Sequence, residues 1–164
     1  MSASPAFDGG SPRNAVGGRR MRVLDQLKRN LQSHPSTADV RFEESGTGAD
    51  WRLVARLNCS ILVDGRLSTD RARLFVNWWT HPGSTRDRFK FHYAESGGFD
   101  CGWHRQANDH VDGLEHYQER TSSDDEYTYE PVDFDHEGPV GVLWETLDER
   151  LKPRLERRSE PRDR

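Results

Sequence analysis

Lysine is scarce in this 164-residue chain: Lys28, Lys90 and Lys152 are the full set, so arginine carries nearly all the positive charge. Aspartate is frequent, as in Ser122-Ser123-Asp124-Asp125-Glu126. Low lysine with high arginine and aspartate is the texture of a salt-adapted or high-GC archaeal proteome. The formal net charge of −4 excludes whole-protein attraction to nucleic acid and leaves room only for a local basic face. Cysteine is limited to Cys59 and Cys101. Both fall in alternating segments, where a thiol serves as a small buried hydrophobe, with a disulfide or a reactive thiol as the alternatives. Long apolar runs are missing. No window approaches the roughly 20 apolar residues that span a bilayer, and MSASPAFDGGSPRN has no apolar signal core, so a cytoplasmic protein is expected. With hydrophobic and charged residues both at 32%, the core should be modest and its flanks polar.

The length suits one domain. Residues 1–18, rich in Gly, Ser and Pro without periodicity, read as a disordered lead, 19–156 as the domain and 157–164 as a charged tail. From Arg19 to Ser33 a helical stripe of Val23, Leu24, Leu27 and Leu31 ends at His34-Pro35. Strands follow. Val40–Glu44 is one, and Trp51–Val63 alternates until Asp64-Gly65 supplies a turn. Ala72–Thr80 puts Leu74, Val76 and Trp78 inward, and His81-Pro82-Gly83-Ser84 turns the chain. Arg88–Tyr93 and Phe99–Trp103 complete a meander. Residues 105–137 are polar and irregular apart from a β-like YTYEPVDF at 127–134. A second helix starts at Pro139, with Val140, Leu143, Leu147 and Leu151 on its stripe, and Pro153 kinks or ends it. The fold class is therefore α+β: an antiparallel meander of four to six strands with both terminal helices on its apolar face.

Opposed residues of paired strands point to one side, which constrains the last hairpin. A three-residue loop, Glu95-Ser96-Gly97, with Gly97 left-handed, sets Tyr93 against Phe99 and Phe91 against Cys101. On the reverse face it sets His92 against Asp100 and Arg88 against His104. That polar face then gathers Arg56, Asn77, Lys90, His92, Asp100 and His104.

His104, His110 and His116 follow at intervals of six. A metal site is one reading, from His104, Asp109, His110, Asp112, Glu115 and His116, but no pair shares a helical turn and no zinc-finger spacing occurs. No cofactor fingerprint is present, and none is expected. Acid–base chemistry is a second reading. Metal-independent RNA cleavage needs a base for the 2′-hydroxyl, an acid for the leaving oxygen and a cation for phosphate. His92, His104, His110 and His116 with Arg105 supply those types, and Asp100 would orient His92. The plain alternative is solvated loop histidines. Arg56, Arg88, Lys90 and Trp79 are candidates for holding nucleic acid, since aromatics interleaved with cations on a sheet hold single strands. Packing of Phe75 and Trp79 under the 105–137 loop or against a partner is the other explanation.

Phe89-Lys90-Phe91-His92-Tyr93, the turn Ser96-Gly97-Gly98, and the spaced His104, His110 and His116 resemble the TumE-like toxins of toxin–antitoxin modules. Those residues cover about a fifth of the chain. Asp100-Cys101-Gly102-Trp103 stands where that family carries Arg-Tyr-Asp-Asn, and its paired histidines are single here. The resemblance implies a small toxin acting on RNA or translation, a metal-independent ribonuclease among the expected activities. It also implies neutralisation by an antitoxin with a helix-turn-helix, DNA-binding domain. The alternative function is a noncatalytic module whose polar sheet face and 105–125 loop hold a protein partner or RNA.

Overall fold

The computed structural model describes residues 18–45, 50–65, 67, 71–80 and 86–160. The expected N-terminal lead up to residue 17 and the His81–Ser84 turn lie outside the described residues.

Helix α1 (Gly18–Ser33) buries Met21, Leu24, Leu27 and Leu31, a three-and-four spacing that forms one apolar stripe. Strands β1 (Thr37–Ser45) and β2 (Asp50–Leu57) follow, then a one-turn helix α2 (Cys59–Leu62). The expected strand to Val63 therefore stops six residues early. Asn58 ends it by accepting hydrogen bonds from the backbone N–H groups of Ser60 and Ile61, which caps a helix turn instead. Cys59 and Val63 remain buried, whereas Ile61 turns outward and is half exposed. Asp64 and Gly65 both take positive φ, as the predicted turn requires.

The remaining strands are β3 (Ala72–Trp79), β4 (Arg88–Ala94), β5 (Asp100–Arg105), β6 (Glu115–Arg120) and β7 (Thr128–Pro131). Among the described residues, all seven form one antiparallel sheet in sequence order. The expected four to six strands become seven: β7 falls in the β-like 127–134 segment, and the polar region before it supplies β6. Inward Glu115 and Glu119 of β6 are paired with Arg105 and Arg154, so no apolar alternation announces that strand.

The last rod begins with α3 (Pro139–Trp144), widens to π hydrogen bonding over Glu145–Leu151 and resumes as α4 (Lys152–Ser159). Pro153 neither ends nor breaks it. In a regular α-helix its ring would meet the carbonyl of Glu149; the π segment ends just before it. The helix reaches Ser159, past the expected start of the tail. Arg158 binds Glu95 at the β4–β5 turn and Arg154 binds Glu119 of β6, tying the rod to the sheet.

Both helical segments cover the inward face. Leu24, Leu27, Leu31, Leu143, Leu147 and Leu151 share one core with Leu53, Leu74, Val76, Trp78, Phe89 and Phe91. Cys101 and Cys59 are buried free thiols in that core. Burial pushes the Cys101 thiol up to about 12, which holds it as an inert thiol.

The β4–β5 register differs from expectation by two residues. Phe91 faces Trp103, Tyr93 faces Cys101, His92 faces Gly102 and Lys90 faces His104. The loop is five residues long, Glu95 N–H donates to the Phe99 carbonyl at 2.9 Å, and Gly98 rather than Gly97 takes positive φ. A slip of two preserves which side each residue faces, so the inward and outward sets are unchanged.

Candidate nucleic-acid-processing face

The sheet face away from the helices is organised in ranks that run across the strands. One rank is Asp39, Arg56, Arg73, Ala94, Asp100 and Arg120. The next is Arg41, Val54, Phe75, His92, Gly102, Gln118 and Tyr129. The third contains Asn77, Lys90, His104, His116 and Pro131. Simple alternation in β4, β5 and β6 places these groups together: Phe, Tyr, Cys and Trp go inward, and Lys, His and Asp go outward.

The histidines form a contiguous row. Nδ1 of His92 lies 3.4 Å from Nε2 of His104. The His104 and His116 rings meet edge to face at 5.1 Å. The loop after β5 folds back over this face, so that His110 stacks on Tyr129 with centroids 4.3 Å apart. Asn108 in that loop reaches Nε2 of His116 at 3.4 Å. The equal spacing of six now has a cause. His104 and His116 are direct partners in the β5–β6 hairpin, and His110 is the midpoint of the chain between them.

Gly102 makes the His92–His104 approach feasible. A Cβ at that position would lie 2.4 Å from His92 Nδ1 and 2.7 Å from His104 Nε2. A glycine inside a strand marks such close approaches.

Asp100 anchors the far end of the row. It accepts from His92 Nε2 at 2.9 Å, from Arg120 at 2.6 Å and from the Tyr127 hydroxyl at 2.6 Å. Burial pushes its carboxyl up, but bonds from Tyr127, Arg120 and His92 outweigh that and hold it below the usual carboxylate range. The ionised carboxylate can only accept, so His92 carries its proton on Nε2. Burial lowers the His92 imidazole despite Asp100, which keeps the ring neutral and Nδ1 bare. The proton in the His92–His104 contact then belongs to His104 Nε2, and His104 Nδ1 keeps an unshared pair.

His104 is pushed down to about 2 by burial first, and then by the charges of His92, Lys90 and His116. His116 is also lowered, chiefly by burial. Nδ1 of His104 and Nδ1 of His116 are buried and have no hydrogen-bond partner among the described residues. Each such atom costs about 1–3 kcal/mol, and groups kept at that cost point to a functional role. Lys90, opposite His104, is lowered by burial and by Arg52, so this end of the row is cationic and partly desolvated.

Other expected site residues are distributed differently. Arg105 is on the inward face, 1% exposed, bonded to Glu115 and the Asp87 carbonyl and lying 4.7 Å over the Phe89 ring. It faces away from the histidines because it follows His104 by one residue in a strand. Arg88 and Trp79 are opposed at the β3–β4 end of the outer face, and Arg56 lies three strands from His104. Glu115 is also inward, bound by Arg105 and Arg86. Among the described residues, the group with ligand atoms within 4.8 Å of one another is Asp135, Glu145 and Glu149, none of which was in the expected metal set. Gly102, Arg120, Tyr127 and Tyr129 were missed. The strand glycine and the alternating Tyr127-Thr128-Tyr129 were the available signals.

This face falls within the segment that matches the family model described as Toxin TumE, which covers residues 24–143. The chain belongs to the TumE toxin family. It is therefore a toxin of a toxin–antitoxin system, and a cognate antitoxin is its partner. Neither the curated proteins nor the solved structures include a match to it. Among the described residues, no helix of this TumE family member is long and apolar enough to cross a membrane.

Proposed function

We propose that this toxin is a metal-independent endoribonuclease acting on single-stranded RNA in the cytoplasm. The observation that carries the reading is the row His92–His104–His116, tied to Asp100, on the helix-free face of the sheet. In this reaction the RNA 2′-hydroxyl gives its proton to imidazole and its oxygen attacks the adjacent phosphorus. The bond from phosphorus to the 5′-oxygen breaks, and that oxygen takes a proton from a second imidazole. The products are a 2′,3′-cyclic phosphate and a 5′-hydroxyl.

The proton-accepting role belongs to His92, the more exposed imidazole of the His92–His104 contact, whose tautomer Asp100 orients. The donating role belongs to His110, the exposed member of the four. His116 lies between them. Lys90 and Arg120 take the phosphate-neutralising role expected of Arg105. The partner is an antitoxin with a helix-turn-helix domain, which blocks this face or holds the toxin away from RNA.

Induced expression of wild type should be toxic and fragment cellular RNA, with cyclic-phosphate ends that form equally in EDTA. A His104→Ala/His110→Ala/His116→Ala chain should be harmless. Toxic wild type with intact RNA would sink the ribonuclease reading. RNA bound but uncut by purified toxin would leave the noncatalytic binding module. Co-expression of an adjacent helix-turn-helix protein should restore growth, and failure to do so removes that partner.

A further inference from the structure

The outer face carries a second feature that the histidine row does not use. Arg41, Arg56, Arg71 and Arg73 converge with Val54 on one hollow of about 240 Å³. We propose that this hollow binds the phosphodiester backbone of the single-stranded RNA whose reactive phosphate sits at the histidines. It rests on the ribonuclease reading for the second half of that statement only.

The four arginines are exposed, and none of their side chains has a hydrogen bond or an ion pair among the described residues. Arg86, Arg105, Arg120, Arg150, Arg154 and Arg158, by contrast, each hold a carboxylate. Arg56 and Arg73 directly oppose one another on neighbouring strands. Like charges in that arrangement destabilise a sheet, so an anion between them repays a cost the free protein bears. Among the described residues, Asp39 is the single acid lining the hollow. In a chain of net charge −4, this concentration does not follow from overall composition.

Position supplies the link to the reaction. Arg73 shares its rank with Asp100 and Arg120, and Phe75 directly faces His92. Phe75 is half-buried, with the Arg52 guanidinium 4.4 Å over its ring. It therefore stands between the arginine hollow and the imidazoles. From β2 to β5 is three strand spacings, about 14 Å, so one strand of RNA reaches both. Arginine forks suit the phosphates of such a strand, and an aromatic ring on the way accepts a base by stacking.

The test is fluorescence anisotropy with a single-stranded 2′-O-methyl oligoribonucleotide, which cannot be cut by 2′-hydroxyl attack. It is long enough to extend from the hollow to the histidines. Compared with wild type, the Arg41→Ala/Arg71→Ala/Arg73→Ala protein should bind about tenfold or more weakly. Its log–log salt slope should fall by about 2, since each phosphate contact contributes about 0.7 for single strands. Equal binding by both proteins overturns the proposal, even where wild type cleaves RNA and the ribonuclease reading survives. Conversely, wild type that binds the probe through these arginines but leaves unmodified RNA intact supports the hollow and sinks the ribonuclease. Tighter, arginine-dependent binding of polyglutamate than of the oligonucleotide would make the hollow a docking surface for an acidic protein and overturn the proposal.

Discussion

His92 Nδ1 and His104 Nε2 face each other at 3.4 Å across the bare Cα of Gly102. The contact needs that glycine, because any Cβ there would push at least one ring aside. Gly102→Ala should therefore separate the imidazoles with the fold otherwise kept. Overpacking should cost about 1–3 kcal/mol in urea unfolding. RNA cleavage should fall about a hundredfold, as expected for a reacting group displaced by about 1 Å. A folded Gly102→Ala protein with full activity would show that the contact is dispensable.

Asp100 dictates the tautomers of the row. Asp100→Asn can donate an N–H to His92 Nε2, which moves the His92 proton to Nδ1 and points it at the His104 N–H. Histidine nitrogen chemical shifts should report the Nε2–H form of His92 and of His104 in wild type and a changed His92 in the variant. Cleavage should drop with that change. An unchanged His92 spectrum with lost activity would place the role of Asp100 elsewhere.

The lowered imidazoles make stability sensitive to acid. Burial holds His92, His104 and His116 below their ordinary values, with His104 down to about 2. As pH falls through about 6.5, the unfolded chain takes up protons that the native state refuses. Stability is thus full above that pH and falls below it, by up to about 1.4 kcal/mol per pH unit for each such group. Thermal melting of wild type should lose ground between about pH 7.5 and 5.5. The His104→Gln protein, which titrates one group fewer, should lose less. Parallel pH profiles for the two proteins would contradict the neutral, buried state of His104.

Arg105 should behave as a structural residue. Its guanidinium joins Glu115, the Asp87 carbonyl and the Phe89 ring beneath the sheet. Arg105→Ala removes one of the two guanidinium groups that hold Glu115, leaving Arg86, and opens a cavity, so it should cost about 2–5 kcal/mol in denaturant unfolding. The residual folded protein should cleave RNA with the wild-type pH profile. Wild-type stability combined with lost cleavage would return Arg105 to the reaction.

Much of this architecture was legible without coordinates. Alternation in Phe89–Tyr93 and Asp100–Trp103 assigned each residue to the apolar or polar side, and the stripes of Leu24, Leu27 and Leu31 and of Leu143, Leu147 and Leu151 marked both helices. His92, Lys90, Asp100 and His104 were correctly placed on one polar face. Strand β7 was foreshadowed by the β-like segment at 127–134, but β6 was not legible. Its inward Glu115 and Glu119 are satisfied by Arg105 and Arg154, from β5 and the C-terminal rod. A buried ion pair disguises a strand as a polar loop until its partner is known.

The local pattern of this chain determined parity, meaning which side chains lie over the core and which over the open face, because a strand has a period of two and a helix one of 3.6. Parity cannot supply offset. Only the folded sheet decided that His104 faces Lys90 and His116, that Gly102 sits beneath the His92–His104 contact, and that the loop carrying His110 returns to Tyr129. Those relations depend on loop length, inward ion pairs and packing among residues far apart in sequence, and the same alternation is compatible with every even slip of one strand along the next.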